Sequence, residues 1–63
     1  SFYPEGTVVY LNNGEKAVVV STEVPVSSRP IVRVLNDPKG GRQVPFDINL
    51  SENLTVHIIG AEA

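Results

Sequence analysis

His57 is the single histidine of this 63-residue chain, and it stands between Val56 and Ile58. On a strand it points opposite to those two apolar neighbours, toward solvent or a partner surface. Acid–base or metal chemistry needs companions, and none of the acids sits at a spacing that forces one beside it. His57 therefore reads as a surface histidine. The acids Glu5, Glu15, Glu23, Asp37, Asp47 and Glu52 fall in predicted turns or at strand ends, where turn chemistry and hydration account for them. Gly40-Gly41 belongs to a predicted hairpin turn rather than to the start of a helix, so it is no phosphate loop. The chain has no cysteine, which removes thiol catalysis, thiolate metal sites and disulfides together. Neither a catalytic nor a metal site is specified, and no cofactor is expected. Asn49-Leu50-Ser51 and Asn53-Leu54-Thr55 both spell the N-glycosylation acceptor triplet. Such triplets arise often by chance, and nothing else in the chain points to secretion.

Arg29 and Arg33 stand four apart, and Asn49-Leu50-Ser51 follows downstream. Together they resemble fragments of the PilZ motif, in which two arginines fork onto the phosphates and guanine edges of a cyclic dinucleotide. That resemblance implies Arg29 and Arg33 as ligand-binding residues. Leu54 stands where the motif has glycine, and Arg33 falls inside a predicted strand, so a solvated strand face accounts for the same residues.

Composition narrows the partners. Five basic residues against seven acidic ones give a net charge of −2. Nucleic-acid binding leans on clustered Lys and Arg, and two Phe, two Tyr and no Trp leave few rings for stacking bases. Nucleic acid is not an expected partner. No apolar run approaches the ~20 residues of a membrane span, so no membrane insertion is expected. A chain of this length makes one domain and buries only about 60% of its unfolded surface. It starts at Ser1 without an initiating methionine, which predicts a fragment of a longer protein, and the absence of cysteine fits a reducing, cytoplasmic compartment.

The elements that must position these residues are strands. Residues 6–20, GTVVYLNNGEKAVVV, hold two β-branched runs joined by Asn13-Gly14. That dipeptide suits a type I′ turn with positive φ at both central positions, so the stretch predicts an antiparallel hairpin. Tyr3-Pro4-Glu5-Gly6 forms a turn ahead of it. Strands are predicted over 7–11, 15–23, 31–36, 43–48 and 54–59. Consecutive valines at 18–20 predict a strand covered on both faces as it bends round a corner. Residues 24–30, with two prolines, make the longest connection; 37–41 make a turn. Pro45 implies an edge strand or a bulge, and residues 49–53 one helical turn capped by Asn49 or Ser51. Five short strands with a 3-10 turn before the last predict an all-β fold, an SH3-like barrel spanning 1–63. Alternation places Val9, Leu11, Val18, Val20, Val32, Val34, Ile48, Leu54, Val56 and Ile58 in its core.

Tyr3-Pro4-x-Gly6-Thr7-x-Val9-x-Leu11, then Asn13-Gly14-Glu15-x-Ala17-Val18-Val19-Val20, resembles the region that follows the catalytic domain of bacterial HD-GYP phosphodiesterases. The likeness continues through Arg29-Pro30-x-Val32, Asp37, Gly40, Asp47-Ile48-x-Leu50 and Val56-x-Ile58. Those enzymes hydrolyse cyclic di-GMP at a metal centre held by His and Asp. Neither that pair nor the Gly-Tyr-Pro signature is present here, so the resemblance implies an accessory region and carries over no catalytic residue.

Three readings follow. The first is an interaction barrel docking on the neighbouring catalytic domain of its own chain or on a second copy, through outward Val8, Ile31 and Ile59. The second is a cyclic-dinucleotide module using Arg29 and Arg33. The third is a structural appendage that stabilises its parent.

Overall fold

The computed structural model describes residues 3–23, 29–36 and 42–62. Five strands, β1 (Val8–Leu11), β2 (Lys16–Ser21), β3 (Ile31–Asn36), β4 (Arg42–Asn49) and β5 (Ile58–Ala61), form one antiparallel sheet in the order β4-β3-β2-β1-β5. β4 and β5 are its two edges and do not pair with each other, so hydrogen bonding does not close the sheet. No helix occurs among the described residues. The expected 37–41 turn and most of the 24–30 connection lie outside them.

The opening hairpin forms where expected but with different turn chemistry. Among the described residues none but glycine has positive φ, and in this hairpin Gly14 alone carries it, at 91°. The Gly14 N–H donates to the Leu11 carbonyl at 3.0 Å, and the Leu11 N–H to that of Glu15 at 2.9 Å. The loop is thus Asn12-Asn13-Gly14, a tight turn followed by a left-handed glycine bulge, rather than a two-residue type I′ turn. Asn13 braces it: its Oδ1 accepts the Glu15 N–H at 2.9 Å, and its Nδ2 donates to Glu15 Oε1 at 2.7 Å.

That extra loop residue resets the second strand. A two-residue loop would have set Val9 opposite Val18; instead Val9 faces Ala17. A one-residue change of register exchanges the faces of a strand. Ala17 and Val19 are therefore buried, and Val18 and Val20, expected in the core, are only half-buried. A bulge between Val19 and Ser21, where β2 meets β3, bends the strand.

Pro45 lies on an edge strand, and the β3–β4 register shifts between Val34 and Asn36, opposite this part of β4. Proline offers no ladder donor, and both positions tolerate that loss. Gly6, also at φ 91°, completes a turn closed by the Thr7 N–H on the Pro4 carbonyl at 3.1 Å.

The core consists of Val9, Leu11, Ala17, Val19, Val32, Val34 and Leu50, with Tyr3, Ile48, Val56 and Ile58 packed against it. Burying each Val or Leu contributes about 1.5–3 kcal/mol, so a handful of side chains carries the fold. Leu54, expected inside, is 72% exposed, while Leu50 is 1% exposed. The cause is local. Asn49 Oδ1 accepts the Ser51 N–H at 3.0 Å, and the Asn49 carbonyl accepts the N–H groups of Glu52 and Asn53 at 3.0 and 3.1 Å. The Val56 N–H then donates to the Asn53 carbonyl at 3.2 Å. Asn49 thus closes an Asx-type turn rather than capping a helical one. The chain takes two successive turns without a 3-10 helix, and the second one spends the Val56 N–H that a strand over 54–59 would need. The last strand therefore starts at Ile58.

Candidate functional site

Residues 50–57 cross from one edge strand to the other without regular structure, held by two polar clamps. Arg29 provides the first. Its Nε donates to the Leu50 carbonyl at 2.6 Å, and its Nη2 donates to the carbonyls of Asn53, at 3.1 Å, and Val56. The Leu50 N–H donates to the carbonyl of buried Pro30 at 3.2 Å, so the segment is tied to the start of β3 from both sides. A guanidinium suits this work because its planar fork presents several donors in fixed directions. Asn12 at the hairpin tip provides the second clamp. Its Nδ2 donates to the Thr55 carbonyl at 3.0 Å and its Oδ1 accepts the His57 N–H at 3.0 Å. The Asn12 N–H donates in turn to the His57 carbonyl at 2.9 Å. Asn12 drew no attention in the sequence because one asparagine beside Asn13-Gly14 reads as turn filler.

Arg33 is placed differently. It lies opposite Asp47 across β3 and β4, and its Nε donates to Asp47 Oδ1 at 2.9 Å, with Nη2 at 3.4 Å from Oδ2. The hydrogen bond, then the opposite charge, raises the Arg33 pKa and lowers that of Asp47. Arg29 and Arg33 thus engage separate partners: three backbone carbonyls for the one, a carboxylate for the other. His57 is exposed, as strand-like alternation with half-buried Val56 and Ile58 suggested.

A second polar cluster joins β1, β2 and the residue after β5. The Tyr10 hydroxyl donates to Glu62 Oε2 at 2.6 Å, and Lys16 Nζ lies 3.3 Å from the same oxygen. Accepting the Tyr10 hydrogen bond, and then that of Lys16, holds the Glu62 carboxyl below its usual range. The same bond, more than any burial, pushes the Tyr10 hydroxyl up. Glu15, expected as a turn residue, is buried.

No cavity opens among the described residues, and no three His, Asp or Glu side chains there gather as metal ligands. Large apolar side chains, by contrast, are exposed at particular places. Val44 is 85% and Phe46 45% exposed on β4, Ile59 66% on β5, and Leu54 stands out from the connection between them. Of the three outward residues expected from alternation, Ile59 is exposed while Val8 and Ile31 are half-buried. In the sequence Pro45 breaks the pattern between Val44 and Phe46, so alternation marks neither side chain as outward.

Residues 8–63 match the family model described as a KOW domain associated with an HD domain. The chain belongs to that family. No curated protein and no solved structure matches it. The likeness noted in the sequence to a region accompanying an HD domain thus holds at the level of the HD association. As a KOW domain of this kind, the chain is an accessory domain of an HD-domain protein. The matched residues include all five strands and the 50–57 segment, and Tyr3, ahead of them, packs partly buried against the core.

Proposed function

We propose that this KOW domain is a non-catalytic docking module of a cytoplasmic bacterial HD-GYP phosphodiesterase, curled as an SH3-like barrel against the catalytic domain of its own chain. One observation carries the reading. Among the described residues the exposed large aliphatic side chains fall on the two edge strands and the connection joining them: Val44, Leu54 and Ile59. Apolar groups gathered on particular elements of a small domain favour an interface over chance exposure. The family's association with HD domains favours that domain as the occupant. The Tyr3-Pro4 to Val20 pattern supports the HD-GYP type, and of the outward set Val8, Ile31 and Ile59 it is exposed Ile59 that offers the contact.

The test mixes the chain with the HD domain of its parent protein and follows mass by light scattering. A one-to-one complex is expected, weakened at least about tenfold by Ile59→Arg or Val44→Arg, the effect of losing an anchor at an interface centre. A chain that stays monomeric in the mixture refutes docking. Self-association that ignores the HD domain assigns the surface to a second copy and refutes the catalytic domain as occupant.

A further inference from the structure

We propose that Asn13 is a spontaneous deamidation site whose reaction is shut off by the folded hairpin and released when the hairpin opens. The chain has five asparagines, Asn12, Asn13, Asn36, Asn49 and Asn53, and only Asn13 precedes a glycine. Without a Cβ, Gly14 leaves its nitrogen open to the Asn13 side chain in a flexible chain. The Gly14 nitrogen loses its proton and attacks Asn13 Cγ. A C–N bond forms, the Cγ–Nδ2 bond breaks, and ammonia leaves. Water then opens the resulting succinimide to aspartate or isoaspartate, so an amide and water become an acid and ammonia.

In the native hairpin the Gly14 N–H and both polar atoms of the Asn13 side chain are engaged elsewhere. The Gly14 N–H that must be lost donates to the Leu11 carbonyl at 3.0 Å. The Asn13 side chain that must turn onto Gly14 is held at both ends, by the Glu15 N–H at 2.9 Å and Glu15 Oε1 at 2.7 Å. The Glu15 side chain is anchored in turn, since Glu15 is only 8% exposed. Its carboxylate also opposes the negative charge that builds on the Gly14 nitrogen and the Asn13 oxygen during attack. Asn13 itself is exposed, so water reaches any succinimide that forms. The product cannot rebuild the brace. Aspartate in place of Asn13 has no Nδ2 donor for Glu15 and sets a second carboxylate against it. Each conversion therefore loosens the hairpin whose opening allowed it, and the site works as a one-way record of unfolding.

The experiment incubates the 63-residue chain in mildly alkaline buffer across a guanidinium series and follows each asparagine by peptide mapping. In full denaturant Asn13 converts faster than the other four. In buffer its rate falls at least about tenfold, and between the two it tracks the unfolded fraction, as reactions of a transiently opened state do. Converted protein, separated by its extra negative charge, unfolds at lower denaturant than unconverted protein. Equal rates in buffer and in denaturant overturn the gating. Unchanged unfolding of the converted protein overturns the one-way character.

Discussion

Replacing Arg29 by alanine tests whether its guanidinium holds the 50–57 segment against the sheet. The side chain gives N–H groups to three backbone carbonyls, those of Leu50, Asn53 and Val56, and the contacts to Leu50 and Val56 are partly buried. A hydrogen bond involving a charged group contributes about 1.5–3 kcal/mol net when shielded, and little when water can replace it. Counting only the two partly buried contacts at the low end, Arg29→Ala costs about 3 kcal/mol. Stability of about 0.05–0.15 kcal/mol per residue gives a chain of this size roughly 3–9 kcal/mol in all, so the loss is a large share. Arg29→Lys keeps the charge and much of the aliphatic stem but has one nitrogen for three acceptors, and loses about half as much. Denaturant unfolding followed by circular dichroism measures both, and the graded lysine variant remains readable if the alanine variant fails to fold. Native-state hydrogen exchange adds the location: the N–H groups of Asn53, Val56 and His57 lose protection before those of β2 and β3. If Arg29→Ala stays within about 0.5 kcal/mol of the parent, as ordinary surface substitutions do, the clamp is decorative. A loss spread evenly over the sheet, with no local loss of protection, refutes the placement equally.

Three further outcomes rest on the hairpin register and the polar pairs at the surface. Val19→Ala removes methyls from a fully buried site and costs about 2–3 kcal/mol, whereas Val18→Ala on the opposite face costs about 1 kcal/mol or less, both read by denaturant unfolding. A reversed order would restore the two-residue turn. The carboxyls of Asp47 and Glu62 are held low in the folded state, so their stabilisation is complete above the ordinary carboxylate range and is lost as pH falls through the depressed values. Asp47→Asn and Glu62→Gln flatten that acid limb in unfolding scans. The Tyr10 hydroxyl is held high, so its contribution is complete below the usual tyrosine range and fades as pH rises through the raised value; Tyr10→Phe removes this alkaline loss.

The local signals in the chain carried the number of strands and most of their spans. Residues 31–36 alternate cleanly between turn-rich flanks, and β3 occupies that span. Pro45 announced an edge, and β4 is one. Asn13-Gly14 announced a hairpin but not its loop length. The decisive third residue, Asn12, is neutral in propensity, and its placement depends on contacts with Thr55 and His57 more than forty positions away. From that one residue came the exchanged faces of β2. The end of the chain was misread for a related reason: Leu54, Val56 and Ile58 alternate as a strand would, yet Asn49 and Arg29 hold the backbone in turns. The candidate surface was legible only at Ile59, because alternation gives direction and says little of how far neighbours overhang.

β1 lies between two very different neighbours. Its partnership with β2 closes over three loop residues, whereas its partnership with β5 joins Val9 to Ala61 and Tyr10 to Gly60, bringing Tyr10 within bonding reach of Glu62, 52 positions away. Closing so long a stretch carries a larger entropic penalty before any contact rewards it. During synthesis on the ribosome, the first hairpin can therefore assemble early while one flank of β1 stays bare until Ile58 to Ala61 emerge. Throughout that interval the nascent chain presents an unsatisfied row of amides and carbonyls, the kind of surface that chaperones cover and that neighbouring copies can invade.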